Sequence, residues 1–86
     1  MSKTFNTALE ARHIIMDLRI QLKRLPYNPD LLKLCNNIGV MNSDLSRLEV
    51  EARQTHRTHK LDAHKEDMIK AIKHLEHLIL MAKLMS

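Results

Sequence analysis

At 86 residues the chain has material for one domain, because so short a chain buries only about three-fifths of its unfolded surface and cannot sustain a second core. Its 44% apolar share is that of an ordinary globular protein, and one Gly, two Pro and 2% aromatics point to long helices joined by short turns. The net charge of +4, with an isoelectric point near 9.5, fits an anionic partner, while the lone Cys35 excludes an intrachain disulfide and fits a reducing compartment, the cytoplasm.

The N-terminus, Met1-Ser2-Lys3-Thr4-Phe5-Asn6, holds no continuous apolar run of the kind a secretory leader needs. A first helix is expected from about Thr4 to Leu25, since Ala8, Ala11, Ile15, Leu18, Leu22 and Leu25 recur at spacings of three and four and share a face. Thr7-Ala8-Leu9-Glu10 has capping-box spacing, so the helix starts at Thr4 or at Thr7. Ile14, Met16 and Ile20 spread apolar surface beyond that single stripe.

Leu25-Pro26 closes this segment, and Asn28-Pro29-Asp30 opens the next with an N-cap, a proline at the first helical position and an acid in the first turn. Leu31, Leu34, Ile38, Met41, Leu45, Leu48 and Ala52 then alternate by three and four to about Thr58. A third stripe follows at Leu61, Met68, Ala71, Leu75, Leu78, Ala82 and Met85, with Asp62 as its expected N-cap. The two stripes are out of phase, so a break falls between Thr55 and Asp62, although no Gly or Pro marks it. The longest uncharged apolar run, Leu78 to Ala82, is far short of the roughly 20 residues that cross a bilayer, and a soluble protein is expected.

The reading is therefore all-α: a single domain over residues 1–86, built as a small three-helix bundle. If the helices run up, down and up, the end of the first, the start of the second and the end of the third meet. That end is rich in Leu, Ile and Met, and Ile14, Ile20, Leu80, Met81 and Leu84 are the expected interface with a second copy or another protein.

The middle segment carries an internal conflict. Cys35-Asn36-Asn37-Ile38-Gly39-Val40-Met41-Asn42-Ser43-Asp44 gathers poor helix formers, and Gly39 alone costs about 1 kcal/mol relative to Ala in a helix interior. A turn at Gly39, with Asn42 or Ser43 capping a new helix, is one resolution; a continuous helix is the other. In the first form, residues 31–50 resemble the helix-turn-helix of DNA-binding regulators: Leu34, Ile38, Val40, Leu45 and Leu48 match its buried positions, Cys35 the small residue at the crossing, and Gly39 the turn position with positive φ. The resemblance implies a second helix in the major groove of duplex DNA, with Asn42, Ser43, Ser46 and Arg47 towards the bases and Lys33, Arg53 and Arg57 on phosphates, working as a dimer. Leu31 stands where that family often has Gln, and Glu49 and Glu51 are ill suited to a phosphate backbone. The stretch Asn28-Pro29-Asp30-Leu31-Leu32, after Leu18-Arg19, also resembles helical-hairpin phosphatases of sporulation signalling, but their Ser and Asp signature positions fall on Cys35 and Gly39, so no activity carries over.

Neither catalysis nor a cofactor is expected. No Gly-rich phosphate loop or nucleophile motif is readable, and Cys35, on an apolar stripe, reads as a buried, inert thiol. His56, His59 and His64, and the pair His74 and His77, lack a cysteine partner and sit among basic residues, so a metal site is not expected either. His13 reads as a surface residue, and with only Phe5 and Tyr27 as aromatics, stacking on single-stranded nucleic acid is disfavoured. Two functions remain: a DNA-binding regulator using the helix-turn-helix, or a three-helix adaptor, inhibitor or assembly factor using its apolar end without nucleic acid.

Overall fold

The computed structural model describes residues 4–85; Met1 to Lys3, part of the segment read as lacking a leader, and Ser86 lie outside the described residues. Three helices follow one another: α1 (Ala8–Lys23), α2 (Pro29–Thr55) and α3 (His59–Met85). No helix is long and apolar enough to cross a membrane among the described residues.

Of the two starts open to α1, the later one forms. Thr7 is extended at φ −128° and ψ 161°, and its hydroxyl accepts from the Glu10 N–H at 3.2 Å. α2 opens as its sequence dictates: the Asn28 side chain accepts from the N–H groups of Asp30 and Leu31 at 3.1 and 3.2 Å, with Pro29 at the first position, where no N–H is needed. It ends at Thr55 because His56 takes the left-handed conformation, φ 58° and ψ 24°, while its N–H still reaches the Ala52 carbonyl at 2.8 Å. α3 begins at His59, earlier than the expected Asp62 cap. Asp62 instead occupies the first turn, its N–H bonded to the Thr58 carbonyl at 2.8 Å, and its carboxylate there suits the positive end of the helix dipole.

The split at Gly39 does not form. α2 runs unbroken through it for 27 residues, and no glycine has positive φ. What Gly39 supplies is room: a Cβ there would stand 3.1 Å from a guanidinium nitrogen of Arg19 on α1. The missing side chain lets that arginine lie across α2.

α2 packs against both neighbours, whereas α1 and α3 meet only narrowly. The core is a single apolar cluster that includes Phe5 ahead of α1, Leu18 and Leu22 of α1, Leu31, Cys35, Ile38 and Leu45 of α2, and Met68, Ile72, Leu75 and Ile79 of α3. On α3 the buried row is Met68-Ile72-Leu75-Ile79, so the helix is turned relative to the expected stripe. Ala71 and Leu78 are only half-buried, and Met85, placed in that stripe, is 84% exposed.

At 1.5 Å per residue, α1 spans roughly 24 Å against roughly 40 Å for α2 and α3. The molecule is accordingly elongated, 48 × 20 × 17 Å. The start of α1 is pinned to the side of α2: Glu49 accepts from the Ala8 N–H and Asn42 Nδ2 donates to the Ala8 carbonyl, both at 3.1 Å. Beyond Glu49, α2 and α3 continue as a tip that only the start of α1 borders, Thr7 and Leu9 sharing a hollow with Ala52, Arg53, Thr58 and Leu61.

Candidate functional site

The expected meeting of the three segments at one end is what the fold builds. Leu22 and Leu25 from the end of α1, Leu31 and Leu32 from the start of α2, and Ala82 and Met85 from the end of α3 line an open groove of about 540 Å³, with Pro26 and Tyr27 on its rim. Lys83 Nζ donates to Gln21 Oε1 at 3.1 Å and ties α3 to α1 beside it. Around the groove the apolar surface continues outward: Tyr27 is 82% exposed, Leu84 73%, Leu80 54% and Met81 43%.

The expected interface residues divide. Ile20, Leu80, Met81 and Leu84 are exposed, but Ile14 is buried in the core at 9%. Ile14 serves the bundle because the buried arc of α1 is wide, reaching from Ala8 round to Ile14. Ile20 is on a different helix from the other three and belongs to a separate row on α1, with Leu9 and Met16, both exposed. Leu9, Met16, Tyr27, Val40, Val50 and Met85 were not in the expected interface and are exposed too. The signal for the α1 row was the surplus of apolar residues beyond one helical stripe.

Of the residues assigned to DNA, Asn42 alone is not exposed. Asn42 is half-buried against α1, its amide committed to Ala8 and its Oδ1 buried without a partner. Ser43 is exposed and its hydroxyl donates to the Gly39 carbonyl at 3.4 Å, as a serine does inside a continuous helix. Ser46 is exposed, and Arg47, also exposed, forms an ion pair with Asp44 one turn earlier. Val40, expected to be buried in the motif, is 63% exposed because the unbroken helix turns it outward. Lys33, Arg53 and Arg57 are all exposed. Twenty positions separate Lys33 from Arg53 on one helix, which places them roughly 30 Å apart.

The tip gathers Arg53, Arg57, Lys60 and Lys65, but acids stand among them. Lys60 pairs with Glu51 at 3.9 Å, and Arg53 Nε donates to the Glu49 carbonyl at 3.4 Å. His64 is taken by the fold, its Nε2 lying 2.7 Å from the Met41 carbonyl across the α2–α3 contact. Among the described residues no group of three or more His, Cys, Asp or Glu is placed to hold a metal ion. Cys35 is 1% exposed, and burial pushes its thiol above the ordinary range, only partly offset by the hydrogen bond and charge of Arg19. Such a thiol carries little thiolate at neutral pH, so it is a poor nucleophile.

No protein family model, curated protein or solved structure matches the chain significantly.

Proposed function

We propose that the protein is a non-enzymatic three-helix adaptor, inhibitor or assembly factor that takes a protein partner at the apolar end of its bundle. One observation carries this reading: four of the large exposed apolar residues, Leu80, Met81, Leu84 and Met85, crowd the last two turns of α3 beside a ready groove. Scattered apolar residues are normal on a surface, but a contiguous patch around a concavity is what a partner covers. The DNA-reading alternative needs a turn where α2 is continuous and an outward face to which Asn42 does not belong.

The test is a double substitution, Leu80→Glu with Leu84→Glu, in the full chain. Both sites are exposed, so circular dichroism and melting temperature are expected to stay within the range of the parent. Recovery of the partner by affinity capture from the native extract is expected to fall at least tenfold. Undiminished recovery overturns the reading, as does salt-dependent binding to a preferred duplex that Arg47→Ala weakens and makes less selective.

A further inference from the structure

We propose that the furrow between α1 and α2 binds a phosphomonoester, whose doubly charged head is held by Arg12 and Arg19. The furrow has a volume of about 470 Å³ and shares no residue with the groove at the apolar end. Both arginines line it, with Met16 between them on α1 and Gly39, Val40 and Ser43 on α2, and no acid is among its lining residues. Among the described residues neither arginine forms an ion pair. Gly39 makes the room: a guanidinium nitrogen of Arg19 stands 3.1 Å from where a Cβ would be, and the same group hydrogen-bonds the Cys35 thiol. An arginine has five N–H donors, so these contacts leave others for a ligand. A glycine that weakens the interior of α2 thus admits a guanidinium to a furrow without an acidic residue.

The charges around the furrow leave it positive. Glu10 and Asp17 lie roughly 140–180° round α1 from both arginines. On α2, Asp44 is paired with Arg47, and Glu49, which shares the next hollow with Arg12, accepts from the Ala8 N–H. Lys23 and Lys33, both exposed, add positive charge at the end nearer Arg19. Guanidinium groups match phosphate oxygens with paired N–H donors, and two of them match the nearly two charges of a phosphomonoester at neutral pH. A single carboxylate brings only one. Beside the arginines the exposed side chains of Met16 and Val40 give the ester's carbon part an apolar surface to lie on, and the Asn36 amide adds a hydrogen-bonding group.

Phenyl phosphate is the probe, titrated into the full chain slightly above neutral pH and followed by amide chemical shifts. Saturable shifts are expected around residues 12–19 and 36–43, with binding about tenfold tighter than that of benzenesulfonate, which has the same ring and one charge. Arg12→Gln and Arg19→Gln are each expected to weaken it about tenfold. Arg57→Gln, at an exposed arginine of the tip, lowers the net charge equally and is expected to leave binding unchanged. Gly39→Ala is expected to weaken binding severalfold while raising the denaturation midpoint, because the new Cβ displaces the end of Arg19. The same head occurs on a free ester and on a phosphorylated side chain. A phosphoserine peptide that binds tighter than phenyl phosphate, its unphosphorylated form staying silent, assigns the source as a partner protein; one that binds no tighter assigns it as a free ester. Shifts that never saturate, or an equal loss in Arg57→Gln, overturn the site. Benzenesulfonate binding as tightly overturns the preference for a double charge, and undiminished binding in Gly39→Ala overturns the role given to Gly39.

Discussion

The body of the bundle and its tip are made from the same two helices, yet they differ in what holds them. Over the body, α2 is flanked on both sides and presents Leu31, Cys35, Ile38 and Leu45 to a shared core. Past Glu49 only the start of α1, at Thr7 and Leu9, lies near; α2 contributes only half-buried Ala52 before its end, while α3 begins with half-buried Leu61 and His64. Stability here follows the number of flanking helices rather than helix length, because most helical stability in proteins comes from packing an amphipathic face. The same contrast divides the charges. The body's polar groups tie helices together, as Glu49 and Asn42 do at Ala8, whereas those of the tip mostly face solvent.

The contrast breaks most visibly in the centre of the body. Leu45 is 0% exposed, and Leu45→Ala is expected to cost about 2–5 kcal/mol, the transfer term plus the cavity left behind. Denaturant unfolding followed by circular dichroism measures it. A loss below about 1 kcal/mol would mean that the core around α2 closes over the void, and that the body is no better packed than the tip.

Gly39 gives a smaller effect of the opposite sign, and it separates the two conformations the sequence left open. In a continuous helix Gly39→Ala gains up to about 1 kcal/mol of helix propensity. The new Cβ meets only the far end of Arg19, a flexible side chain that can move aside. In a left-handed turn the same change would destabilise, since alanine is strained at positive φ. A higher denaturation midpoint in Gly39→Ala is therefore expected, and a lower one would restore the split segment.

Much of the fold was legible because its signals are periodic. The stripe of α1, the Asn28-Pro29 start of α2 and the convergence of the three segments at the apolar end all follow from spacing and capping chemistry. Gly39 misled for a definable reason: glycine permits a left-handed turn but does not require one, and what it leaves here is room for the end of Arg19, from a helix some twenty positions away. The phase of α3 was misread because Leu, Ile and Met occupy adjacent faces along Ile69–Ala82, so two stripes fit and only the partners choose between them. Asn42 was placed on an outward face for want of the same information, since its partner, the Ala8 carbonyl, lies 34 positions earlier.

Among the described residues the one left-handed position is not Gly39 but His56, and that mismatch offers the finest probe of the tip. Holding a residue with a Cβ in this conformation costs about 1–2 kcal/mol. His56→Gly removes that cost but gives the unfolded chain extra freedom worth about 0.4–1 kcal/mol, so a net gain of about 0–1.6 kcal/mol is expected. Where the gain is felt decides whether the tip folds with the body. If the two are one cooperative unit, the denaturation midpoint rises slightly and amide exchange slows throughout α2. If the tip opens by itself, protection rises only around Arg53–Thr55 and the first turns of α3, while the midpoint stays put. The sparse burial beyond Glu49 favours the second outcome, because little apolar surface links the tip's opening to that of the core.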